Sequence, residues 1–212
     1  MKTALIAGGT ELIGNQLLQL LLESDRYDKV IAVTRKELPI HKKLICIQID
    51  PKNFGKVDTT LPIDDVFCCL GTTMAKARSK EKFYQVDFTF PVALAKNGLT
   101  QGANQYLLVS ALGASKNASI YYNKVKGEVE EAIAAIGYKA LHVFRPSLLL
   151  GPRTEKRSGE DAAKFFYKVF GFLIPAKYKA IESMKVAKAM LHIASQDKQG
   201  NFVYESKDLQ IF

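Results

Sequence analysis

Tyr122 and Lys126 stand four residues apart in YYNKVKGEVEEAI, a stretch whose apolar spacing predicts a helix over 120–136. That spacing puts both side chains on one helix face, one turn apart. The chemistry it suits is proton transfer. A tyrosine phenol ordinarily keeps its proton up to about pH 10, and an ammonium one turn away favours the phenolate. Tyr121 has Val125 at the same offset, so the register selects Tyr122. Upstream, Ser110 closes the apolar run YLLVS and offers a hydroxyl that can hold a substrate oxygen while the tyrosine gives or takes a proton. Ser110, Tyr122 and Lys126 are the candidate catalytic set. A Tyr-x-x-x-Lys pair on its own also arises by chance, as a surface pair beside a turn serine.

A second cluster of chemistry-bearing residues opens the chain. GGTELIG lies between an apolar run and a helical pattern, the context of a phosphate-cradling loop. Gly8 allows a tight turn and Gly14 a close helix–strand approach, while the backbone of Gly9, Thr10, Glu11, Leu12 and Ile13 would face a pyrophosphate at a helix start. Glu11 stands where a G-x-x-G-x-x-G spacing expects glycine. Its N–H can still serve if the carboxylate turns to solvent or caps the helix. The alternative is a strand–helix turn without a ligand. The end of the next apolar run reads VTRK, so Thr34, Arg35 and Lys36 offer a hydroxyl and two cations, and no carboxylate for a ribose 2′-hydroxyl. A guanidinium suits a 2′-phosphate, which points to NADP(H).

These residues need elements to hold them. Short apolar runs at 3–7, 30–33, 44–49, 66–70, 106–110 and 140–144 alternate with helical patterns at 13–23, 80–99 and 120–136. Pro91 should kink or divide the second helix. Ser119 is the expected N-cap of the third, and Gly137 its stop. A helix near 184–195 and a strand at 201–204 complete the tail. The alternation predicts an α/β fold, a doubly wound Rossmann-like parallel sheet flanked by helices. One domain spans 1–212, with a cofactor-binding core at 1–150 and a short substrate-side region at 151–212. In such sheets ligands bind beyond the carboxyl ends of the strands.

Bulk properties narrow the function. The 212 residues are 48% hydrophobic and 24% charged, ordinary for a globular protein. There is no leader pattern and no apolar run of membrane-spanning length, so a cytoplasmic protein that does not engage a membrane is expected. Cys46, Cys68 and Cys69 fit neither a disulfide framework nor a zinc site and are expected in the core. The three histidines show no ligand spacing, and no metal is expected. The net charge of +9 is spread along the chain rather than clustered, which suits an anionic cofactor or substrate better than nucleic acid.

Taken together, GGTELIG, VTRK, FCCLGTT at 67–73, VSALGAS at 109–115, YNKVKGEVE at 122–130 and FRPSLLLGPR at 144–153 resemble the atypical, extended-like short-chain dehydrogenase/reductases. More narrowly, they are similar to the family of the mammalian Tat-interacting tumour suppressor oxidoreductase and its small bacterial relatives. The resemblance implies NADP(H) in an extended cleft, with Leu70, Gly71 and Thr72 along the cofactor and Asp50 near the adenine. It places Pro146, Ser147 and Leu148 beside the nicotinamide, and Lys126 on the ribose hydroxyls. It further implies a small carbonyl or alcohol substrate and a homodimer through the helix carrying Tyr122. In typical members an asparagine joins the set as a fourth group; no asparagine of this chain is assigned to that place. Glu11 departs from the family loop. Of the aromatic stretch Phe165, Phe166, Tyr167, Phe170 and Phe172, most are expected in ordinary core packing, the alternative being an apolar pocket or a dimer face, and Arg153 could reach an anionic substrate. The rival reading is a cofactor-bound regulatory protein with little turnover.

Overall fold

The computed structural model describes residues 2–49, 57, 59–152 and 178–212. Its centre is β1 (Thr3–Ala7), buried at every position because it lies between two neighbours with helices on both faces. Around it β2 (Lys29–Thr34), β3 (Leu44–Gln48), β4 (Asp65–Cys68), β5 (Gln105–Val109), β6 (Ala140–Arg145) and β9 (Gly200–Glu205) form a parallel sheet in the order β3-β2-β1-β4-β5-β6-β9. Ala7 pairs in register with Val33 on one side and with Cys68 on the other. The strand order reverses at β1 and β4, where a doubly wound sheet opens a crevice at its carboxyl edge. The expected fold class is the observed one. A separate two-stranded pair, β7 (Leu149–Leu150) with β8 (Ile181–Glu182), was not legible from the sequence.

Alternation along each strand divides the core between two faces. Ile6, Phe67, Leu107 and Phe144 meet Leu17, Leu18 and Leu21 of α1 (Leu12–Glu23) and Val186, Met190 and Ile193 of α6 (Ser183–Ser195). Leu5, Val66, Leu108 and Val143 meet Leu94 and Ala95 of α4 (Phe90–Thr100) and Val129 and Ile133 of α5 (Tyr121–Ala134). Cys68 belongs to the second face and Cys69 to the first, so the adjacent thiols point apart. Cys46 is exposed on β3, against the expectation of a core residue.

One further expectation holds with a refinement, and two are corrected. The long helix at 80–99 is α3 (Lys80–Tyr84), one π-helical turn (Gln85–Thr89) and α4. Pro91 brings no N–H, and its ring crowds the carbonyl of Asp87, so the ladder widens just before it. Ser119 does not cap α5: Ile120 holds the N-cap position and no side chain caps the helix. The described part of the tail, 178–212, is not confined to a substrate side. It supplies α6, which covers one face of the sheet, and β9, its edge strand; α2 (Met74–Ala77) and α7 (Ser206–Leu209) are further helices among the described residues.

His142 on β6 is fully buried, its ring stacked on Phe202 at 5.2 Å and its Nδ1 3.1 Å from the Tyr204 hydroxyl. Burial, helped by the Lys198 charge, lowers its pKa from 6.5 to about 4. The fold thus favours neutral imidazole, and that contribution is complete above pH 6.5. It is lost as pH falls from 6.5 towards 4, by at most about 3 kcal/mol. Urea unfolding across this window should show the acid loss in the parent chain and a flatter profile in His142→Phe.

Candidate active site

The crevice between β1 and β4 is walled by backbone at contact distance. Gly8 has φ +82°, and a Cβ there would lie 2.6 Å from the Cys69 carbonyl carbon and oxygen. A Cβ on Gly14 would run into the Gly8 carbonyl. Both glycines are therefore required by the turn itself. Gly9 is not: a Cβ would meet only the Leu18 side chain, at an ordinary 3.5 Å. Glu11 is the N-cap residue of α1, and its exposed side chain makes no capping bond. Its N–H donates to Gly8 O at 2.9 Å, which rules out the expected service to a phosphate. Its carbonyl accepts from Asn15, so the first-turn N–H groups of Leu12, Ile13 and Gly14 have no acceptor within the helix.

At the end of β2, the buried Thr34 hydroxyl accepts from Lys36 N at 3.0 Å and donates to Lys36 O at 2.9 Å. The hydroxyl is spent on the turn, and the turn leaves Arg35 and Lys36 exposed. After β6, Pro146 O accepts from Leu112 N, and the Ser147 hydroxyl donates to Lys179 O and lies 2.9 Å from Ser206 Oγ. Ser147 thus holds the returning tail, while Leu148 beside it is exposed. Asp50, Arg153 and the aromatic stretch at 165–172 lie outside the described residues.

Behind the crevice, α5 presents Tyr122, Lys126 and Glu130 on successive turns of one face. Tyr122 is half-buried with its ring 5.6 Å from that of Phe83. Lys126 is only 4% exposed, and its ammonium lies 2.8 Å from Oδ1 of Asp87, which is 0% exposed. The other Asp87 oxygen accepts from Thr72 N at 2.9 Å. Gly71 lies over the pair: a Cβ there would be 3.5 Å from Asp87 Oδ1 and 3.6 Å from Lys126 Nζ. Burial works against the Lys126 charge, but Asp87 and then Tyr122 outweigh it, and the lysine pKa is raised. Lys126 is a fixed cation. Ser110, buried at the end of β5, is placed differently from expectation. Its N–H donates to Phe144 O, and its hydroxyl donates to the Glu130 carboxylate rather than standing free for a ligand.

Residues 4–121 match the model of a family described as NAD dependent epimerase/dehydratase. The chain belongs to that family. It is 36% identical over 161 residues to Protein FMP52, mitochondrial, of Candida glabrata, covering 74% of this chain and 68% of that protein. It is 33% identical over 198 residues to Protein HTATIP2 of Rattus norvegicus, covering 90% and 80%. Among solved structures, the Bordetella bronchiseptica enzyme WbmH in complex with NAD+ aligns with a TM-score of 0.75 at 16% identity, over 97% of this chain and 76% of that one. That likeness concerns the fold alone. The relatives bear out the resemblance to the atypical short-chain dehydrogenase/reductases. They overturn the cytoplasmic location, since the FMP52 relatives from three yeasts are each named mitochondrial.

For a member of the epimerase/dehydratase family, the residues missed from sequence are Asp87, Glu130 and Arg145. The available signals were Pro91 four residues after Asp87, and Glu130 continuing the Tyr122–Lys126 spacing by one more turn. Asp87→Asn should keep the Thr72 contact but leave a buried ammonium uncompensated. We predict a loss of about 3 kcal/mol in urea unfolding, much of it recovered when Lys126→Met is added.

Proposed function

We propose that this chain is an NADP(H)-dependent oxidoreductase acting on a small carbonyl or alcohol. The observation that carries this reading is the Tyr122–Lys126 face of α5, tied through Asp87 to the Thr72 backbone of the loop after β4. The crevice fits the cofactor. Gly8 and Gly14 clear its floor, Gly9 leaves bare backbone that no protein contact requires, and the free N–H groups of Leu12, Ile13 and Gly14 suit a pyrophosphate. Arg35 and Lys36 would hold a 2′-phosphate, with Leu70, Gly71 and Thr72 further along the cleft and Lys126 on ribose hydroxyls.

When bound, the nicotinamide supplies the hydride to the carbonyl carbon, or accepts it from the alcohol. Tyr122 gives its phenolic proton to the carbonyl oxygen and regains one from solvent; in oxidation it takes the alcohol proton. Lys126 stabilises the phenolate left behind. Asp87 keeps the ammonium in one place and fully charged.

Tyr122→Phe should lower turnover at least a hundredfold on any aldehyde, ketone or quinone that the parent chain reduces, with NADPH affinity unchanged. Indifference to that change would favour a cofactor-bound regulatory protein. For cofactor choice, Arg35→Ala should weaken NADPH about tenfold and leave NADH within twofold, measured by fluorescence titration at fixed salt.

A further inference from the structure

A serine hydroxyl has one proton to donate. In this chain Ser110 gives it to Glu130 Oε1, inside a site where Ser110 is 5% and Glu130 8% exposed. Glu130 is itself held by a fork from Arg145, with Nε at 3.1 Å from Oε1 and Nη2 at 2.5 Å from Oε2. Arg145 Nη1 then lies 3.4 Å from Glu205 Oε1. The four residues close β5, α5, β6 and β9 into one polar chain. The connection from β5 to β6 is a parallel crossover, so α5 runs back along the sheet and its first turn stands beyond the strand ends. Glu130 lies two turns below Tyr122, about 12 Å along the helix axis.

We infer that Glu130, gripped by Arg145 and by Ser110, locks the placement of α5, that the Arg145 fork keeps this placement when the serine hydroxyl is removed, and that Ser110 does not polarise the substrate oxygen. The lock fixes how far Tyr122 and Lys126 project above the sheet. To serve a carbonyl, Ser110 would have to surrender a charge-assisted hydrogen bond in a buried site. With Ser110 committed to Glu130 and Lys126 held by Asp87, Tyr122 is the proton donor left to the substrate oxygen. A site with one such donor suits carbonyls that are already electron-poor, such as quinones and α-dicarbonyls, over unactivated ketones. Glu130 is a positioning residue, acting through the helix it anchors.

The structural part of this inference stands without the proposed function; the substrate preference rests on it. Ser110→Ala should raise the unfolding equilibrium constant about tenfold in urea titration, and have no effect in a Glu130→Ala background. Glu130→Gln serves as the background if Glu130→Ala does not fold, and there the effect should shrink severalfold. NADPH affinity should fall about tenfold in Glu130→Ala, recover most of the way in Glu130→Gln, and stay within twofold in Ser110→Ala. On the best substrate of a carbonyl panel, Ser110→Ala should keep kcat within about threefold, and quinones or α-dicarbonyls should lead plain ketones at least tenfold in kcat/KM. An unaltered effect of Ser110→Ala in both backgrounds would overturn the lock. So would a hundredfold fall in kcat at unchanged stability, which would return Ser110 to the substrate. A parent chain that reduces nothing on the panel would defeat the proposed function and the substrate preference with it, while the unfolding and NADPH arms would still decide the lock.

Discussion

Two opposite charges buried under the crevice constrain the rest of the site. A lone ammonium at the depth of Lys126 would cost several kcal/mol of lost hydration, and attraction to a carboxylate offsets this only with good geometry and further hydrogen bonds. At Asp87 one oxygen lies 2.8 Å from the Lys126 ammonium and the other accepts from Thr72 N at 2.9 Å. The partners come from elements far apart in sequence, so the pair fixes their relative placement. The π-helical turn that carries Asp87 has its cause in Pro91. A regular helix through 85–91 would bring the Asp87 carbonyl against the Pro91 ring, and widening there relieves the clash. The carbonyl of the same proline accepts from the Tyr106 hydroxyl at 2.9 Å, which ties the start of α4 to the sheet.

Helix α5 carries this constraint outward. Its buried face bears a half-buried phenol, a buried ammonium and a buried carboxylate on consecutive turns, with each charge met by a partner from another element. Lys126 is met from the π turn, Glu130 from the ends of β5 and β6. Apolar contacts such as Val129 and Ile133 hold the helix to the sheet without specifying how far it slides, since packing tolerates small shifts better than a bidentate fork does. The apolar residues supply adhesion, and the charged ones supply register. A proton-transfer tyrosine depends more on register, because an ångström of displacement costs far more in rate than in stability.

The fold was legible because a buried parallel strand leaves a strong mark. TALIA, KVIAVT and ALHVFR are near-continuous apolar runs, and each strand of the seven-stranded sheet lies within two residues of the run that announces it. Gly8 and Gly14 were legible for the same reason, since a missing side chain at a tight approach is written in the residue type. Partnerships between side chains were not. Ser110 reads as a free hydroxyl at a strand end, and nothing local says that Glu130 will take its proton. Asp87 reads as one acid in a helix until Pro91 opens the ladder around it. Ser147 and Thr34 likewise look available, yet each hydroxyl is consumed by a turn or the returning tail. Such bonds form across long sequence separations, so residue type and spacing predict the position of a polar group better than its partner.

Glu11 shows how a local preference and a functional demand can coexist. An acidic residue at the start of a helix interacts favourably with the N–H groups and dipole of the first turn, by a few tenths to one kcal/mol. That holds without a ligand, and it makes Glu11 a reasonable end for α1 despite the missing cap bond. A pyrophosphate seeks the same N–H groups and would be repelled by the carboxylate. The repulsion is blunted because the side chain is exposed, where water and salt screen it to about 1 kcal/mol at contact distances. Against it stand three first-turn N–H groups, the exposed Arg35 and Lys36 at the end of β2, and a chain of net charge +9. The attractive contributions are more numerous and better placed, so a carboxylate at the mouth of this loop tunes affinity for an anionic cofactor without reversing its sign.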